Sequence, residues 1–116
     1  MAQLTVADIV RSGLKEALVA AGAAGDKINN TGVNKGKVFA SIANASATAR
    51  TLTISTPRTI DDLAVADRTV VLSGSSRYDV GPFPAATYNT TSGNVELSYS
   101  TNNSISLQAK RLPAAT

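Results

Sequence analysis

The chain has 116 residues with no Cys, His or Trp, and its 11 Lys and Arg against 8 Asp and Glu leave a net charge of +3. Without His or Cys, the Ser-His-acid and Cys-His catalytic arrangements, disulfides and the usual zinc sites are excluded. The cations form no basic run and no apolar run reaches about 18 residues, so neither a nucleic-acid partner nor a membrane span is expected.

Ser, Thr and Asn together make up 33 of the 116 residues, and β-branched residues are spread throughout. This composition favours short strands joined by turns within one domain. The expected fold is mainly β, a small antiparallel β-sandwich or barrel with an extended N-terminal arm that contains a short helix. The arm covers 1–36, the β domain 37–112 and a tail 113–116. The N-terminus MAQLTVADIVRSGLKEA lacks the charged-then-apolar order of a secretory signal, so synthesis in a cytosol is expected.

In chain order, Leu4 to Ile9 reads as a helix start. Thr5 is placed as N-cap, Asp8 lies near the positive end of the dipole, and Leu4 can staple onto Ile9. A helix over about 6–12, ended by Gly13, would present Val6, Ile9 and Val10 on one side; an edge strand LTVADIV is the alternative. The stretch LKEALVAAGAAG and the polar DKINNTGVNKG that follows it offer little core-making capacity, so order at 14–36 is expected to come from a partner.

KVFASIA and RTLTIST both alternate and read as strands, joined as a hairpin. Pro57 ends the second of these, TIDDLAVAD is a connection anchored by Leu63 and Val65, and Thr69 to Leu72 is the next strand. Thr69 to Ser100 holds all three Tyr, together with Phe83, Pro82 and Pro84, and is expected to supply much of the core. Within it, Gly81-Pro82 and Phe83-Pro84 forbid a continuous ladder and predict an irregular edge that places Phe83 and Tyr88. Val95 to Ser100 and Ser104 to Lys110 read as a second hairpin about Asn102-Asn103.

Chemistry-bearing motifs are weak. Gly32 to Val38 has three residues between its glycines and Val38 where a phosphate loop needs Ser or Thr. Asp61, Asp62 and Asp67 lack the alternating spacing of a calcium loop. Arg77, Tyr78 and Tyr88 could stack on bases, but Tyr in a small β domain is more often core or interface. The four Asn-x-Ser/Thr sequons at Asn29, Asn44, Asn89 and Asn102 read as by-products of composition. No catalytic residue, cofactor site or metal site is expected.

Three stretches resemble tailed-phage capsid decoration (cement) proteins: L-T-V-x-D-I-V-R-x-G-L at Leu4 to Leu14, T-I-x-D-L-A-V-A-D-R-T-V at Thr59 to Val70, and G-P-F-P-A-A-x-Y-N with S-G-N-V at Gly81 to Val95. The resemblance implies a structural, non-enzymatic β protein on the outer capsid surface, often trimeric, bridging subunits of the major capsid protein. On this reading Leu4, Val6, Ile9 and Val10 are the capsid-contact candidates, while Arg77, Tyr78, Asp79, Phe83 and Tyr88 are the self-association candidates. The alternatives are a ligand- or receptor-binding module of a tail or fibre, using Tyr78, Tyr88 and the Asn-rich loops, or a head–tail junction protein.

Overall fold

The structure is a computed structural model that describes residues 1–112; the tail assigned to 113–116 lies outside the described residues. Its strands are β1 (Ala2–Leu4), β2 (Val6–Asp8), β3 (Val19–Ala20), β4 (Asp26–Asn29), β5 (Val38–Asn44), β6 (Arg50–Ile54), β7 (Thr59–Ile60), β8 (Leu63–Ala64), β9 (Arg68–Leu72), β10 (Ser76–Val80), β11 (Asn94–Tyr99) and β12 (Ile105–Arg111), with a 3-10 turn at Gly32–Asn34 and one α-helical turn, α1 (Ala85–Tyr88). One sheet runs β1-β4-β11-β6-β9 and the other β10-β5-β12-β2, with β3 also pairing β12. The fold is mainly β and is a small sandwich. Most pairs are antiparallel, but β1 runs parallel to β4 and β2 parallel to β12, so both sheets are mixed.

Strand side chains alternate between faces, and the inward set forms one core. Leu52 and Ile54, with Val95 and Leu97, come from one sheet; Val38, Ala40 and Ile42, with Ile105, Leu107 and Ala109, come from the other, and all are buried. Ile28, Leu72, Phe83 and Tyr88 complete it.

Both expected hairpins are corrected. β5 lies in one sheet and β6 in the other, and β11 and β12 are split in the same way. Alternation specifies which side chains face inward but not which strand is the neighbour. The links 45–49 and 100–104 therefore cross the sandwich instead of turning back within a sheet. The strand ending at Val80 does lie at a sheet edge, paired to β5 alone.

The helix expected over 6–12 is also corrected. Residues 2–8 run extended and change sheets at Thr5, β1 joining β4 and β2 joining β12. Unpaired edges of both sheets supply backbone partners here, and this non-local pairing outweighs a local capping signal worth about 1 kcal/mol. The edge-strand reading of LTVADIV is the one that forms over Val6–Asp8. Residues 14–36 carry more of the core than their composition suggests: Ile28 is fully buried, and the side chains of Asp26 and Asn30 are buried beside it.

Strand register sorts the loops into two sets. Asn94 opposite Asn29, Val80 opposite Ala40 and Arg111 opposite Val38 place 30–37, 55–67 and 81–93 at one end of the sandwich. The shorter links 21–25, 45–49, 73–75 and 100–104 occupy the other end.

Candidate interaction surfaces

The four capsid-contact candidates do not form one face. The chain changes sheets at Thr5, so Leu4 is buried under the first sheet while Val6 packs half-buried against the core from the second. Ile9 is half-buried and its N–H donates to the Arg111 carbonyl at 2.9 Å, while Val10 is 48% exposed. Beside them Arg111 pairs with Asp8 at 2.8 Å and donates to the Asn34 side chain at 3.2 Å.

The self-association candidates lie along the opposite side, where the free edges of β9 and β10 flank a groove of about 630 Å³. Phe83 does not face outward from it. Phe83 is 2% exposed and meets Tyr88 edge to face at 5.6 Å, which makes it a core residue and corrects its assignment as a self-association contact. The cause is a polar clamp on its backbone. Asn30 Nδ2 donates to the Phe83 carbonyl at 2.9 Å and to Asn89 Oδ1 at 2.7 Å, Asn89 Nδ2 returns a bond to the Asn30 carbonyl at 3.0 Å, and the Gly36 N–H donates to Asn30 Oδ1 at 2.8 Å. The clamp fixes 81–93 against 30–37 and drives the ring inward.

The other groove candidates are engaged within the chain. Arg68 Nε donates to the Tyr88 hydroxyl at 2.9 Å, and Ser41 Oγ donates to Asp79 at 2.5 Å. Arg77 pairs with Glu16, which also binds Lys110 at 2.7 Å. Tyr78 contacts both the hydroxyl and the N–H of Ser73, and these hydrogen bonds lower its phenol from the usual value. Arg77 and Asp79 remain exposed and Tyr78 half-buried.

A surface that the sequence reading missed is the hairpin β7–β8. Leu63 is no anchor: it is 71% exposed and stands opposite Ile60, itself 56% exposed. Asp61 and Asp62 form the two-residue loop with φ of 51° and 61°. Positive φ at both central residues is the twist that such a hairpin needs, and Asp tolerates it better than most residues. The signal was therefore present in Ile-Asp-Asp-Leu, an acidic pair between two apolar residues. The base of the hairpin is locked, because Thr56 donates its N–H to Asp67 at 3.0 Å and its hydroxyl lies 3.0 Å from the carbonyls of Val65 and Ala66. The side chains of Asp61 and Asp62 form no hydrogen bond or ion pair among the described residues. Asp67 is thus a brace, and no group of three potential metal ligands occurs among the described residues. Likewise, no helix among the described residues is long and apolar enough to cross a membrane.

The other end is closed by polar bonds. Asn44 is 2% exposed and donates to the carbonyls of Thr48 and Leu72 at 3.0 and 3.1 Å while accepting from the Ser46 N–H at 3.0 Å, so it is held inside and its sequon is inaccessible in the folded chain. Asn102 Nδ2 donates to the Ala21 carbonyl at 3.0 Å. Tyr99 donates to the buried Asp26 at 2.6 Å; burial first, then this carboxylate, push the Tyr99 phenol far above its usual value. Gly74 has no room for a side chain, since a Cβ there would stand 2.3 Å from the Ala47 carbonyl oxygen.

Compared with known proteins, the chain matches no family model, no curated protein and no solved structure.

Proposed function

We propose that this is a structural virion protein of a tailed phage that binds the outer surface of the assembled head and bridges subunits of the major capsid protein. The observation that carries this reading is the asymmetry of the sandwich. One end is sealed by short interlocked loops, whereas the other bears a braced hairpin whose tip exposes Ile60 and Leu63. Val33 and Leu63, the two most exposed large apolar residues among those described, both belong to that end. A protruding apolar tip suits a complementary protein surface, on the shell or on a neighbouring copy bound to it, better than a small ligand, which needs a concave site.

The three stretches that resemble decoration proteins support the same reading by their placement. Thr59 to Val70 contains the hairpin, Gly81 to Val95 is the clamped segment at the same end, and Leu4 to Leu14 leads to that end through β2 beside β12. The protein is made in the host cytoplasm, joins the head from outside and self-associates, with three copies as the number that the resemblance implies. The rival reading, a sugar- or receptor-binding module, relies on Tyr78, Tyr88 and the Asn side chains, several of which are occupied within the chain.

A protein that binds only the assembled state stabilises it by mass action. Added to emptied cognate heads that lack it, the protein is expected to bind saturably and to raise the temperature at which the shells open. Absence of binding at micromolar concentration, or binding that leaves shell stability unchanged, would remove this reading.

A further inference from the structure

We infer that the β7–β8 hairpin docks into a lysine-rimmed pocket at the same end of a second copy of this chain. This deepens the self-association in the function proposed above and rests on that reading for its biological setting. The donor is the tip, with Ile60 and Leu63 exposed and Asp61 and Asp62 unpaired among the described residues. The left-handed pair at Asp61 and Asp62 and the Thr56 brace hold its shape before contact, so little ordering entropy is lost on docking.

The acceptor is a pocket of about 480 Å³ between loop 30–37 and α1, lined by Ala85, Ala86, Thr31, Lys35 and Asn89. Its amide groups are spent, because Asn30 and Asn89 bond to each other and to the backbone, which leaves the Ala85 and Ala86 methyl groups to meet an apolar side chain. Lys35 stands at its rim and Lys37 follows two residues on; both are exposed and neither amine forms a hydrogen bond or ion pair among the described residues. An acidic apolar tip and a basic apolar pocket are complementary, and elsewhere the net charge of +3 works against self-contact.

The tip is exposed and therefore does not fill its own chain's pocket. Donor and acceptor share one end of the sandwich, which lets two copies that meet through this end pair reciprocally, or three pair in a closed cycle. A single tip contact is small and weak by itself; closure makes each contact intramolecular with respect to the others and raises the overall affinity.

The natural absence of Cys makes the contact directly testable. Leu63→Cys combined with Ala86→Cys in the full chain is expected to yield, under mild oxidation, an inter-chain 63-to-86 disulfide in a closed dimer or trimer, identified by peptide mass spectrometry, with neither single variant giving that species. In sedimentation, Lys35→Glu with Lys37→Glu is expected to weaken association at least about tenfold, and Asp61→Lys with Asp62→Lys added to it to restore association, each variant being checked for an unchanged melting profile. A monomer at the highest soluble concentration without the 63-to-86 bridge, a bridge formed within one chain, or association indifferent to the lysine reversal would overturn the inference. The measurement uses free protein alone, so failure to bind heads with this contact intact would count only against the function proposed above.

Discussion

The two ends of the sandwich use the same residue types for opposite purposes. At the short-loop end, Asn44, Asn102 and the Asp26–Tyr99 pair turn their polar groups inward to tie crossing links together, and Gly74 lets two of those links touch. At the long-loop end, Asn30 clamps a segment that sends Phe83 into the core and walls a pocket, and Thr56 braces a hairpin whose apolar tip is left outside. Bracing without burial orients a surface in advance. The free protein is thus locked at one end and presented at the other.

The largest effect on stability should come from the plug of the long-loop end. Phe83→Ala removes a buried ring and its contact with Tyr88, and is expected to cost about 3–5 kcal/mol in urea unfolding. A cost near zero would return Phe83 to the list of surface contacts. Next comes Asn44→Ala at the short-loop end. Losing its bonds strands the carbonyls of Thr48 and Leu72 and the Ser46 N–H, for about 2–4 kcal/mol, with faster hydrogen exchange at 45–49 and 73–75 and none at the hairpin. Coupled loss of protection at both ends would show that they are not independent.

Tyr99 makes the short-loop end sensitive to pH. Its phenol is raised in the folded state, so the folded chain keeps this proton after the unfolded chain begins to lose its own near the ordinary value of about 10. The stability that Tyr99 contributes is therefore fully present below about pH 10 and declines as pH rises above it. Urea midpoints measured from pH 8 to 11 should show this decline, and Tyr99→Phe should flatten it while lowering stability at neutral pH by about 1–2 kcal/mol through loss of the Asp26 bond. The smallest effect is expected at the tip, where Leu63→Ser should leave stability within about 0.5 kcal/mol because the side chain is already in water. A much larger loss would mean that the hairpin is part of the protein's own core.

The strands were legible in the sequence wherever a period of two is imposed by the backbone itself, as at Leu52 and Ile54 or Val95 and Leu97. Pairing was not, because a strand facing inward from either sheet carries the same pattern, and the polar links 45–49 and 100–104 can cross as readily as turn. At Val6 the capping signal is local while the competing edge of β12 is a hundred residues away in sequence, so a local reading weighs the wrong rival. Buried Asn30 and Asn44 have the same composition as surface Asn and reveal themselves only through their partners. Leu63 misled for the converse reason: an isolated apolar residue reads as an anchor, and only the Asp61-Asp62 turn marks it as a tip.

If the long-loop end is the working end of a head-binding protein, a reconstruction of intact particles should show sandwich density on the outer face of the shell, with the hairpin and the 81–93 segment in contact with neighbouring chains and the short-loop end in solvent. Density with the hairpin end pointing freely into solvent, or no copy on the shell at all, would contradict it.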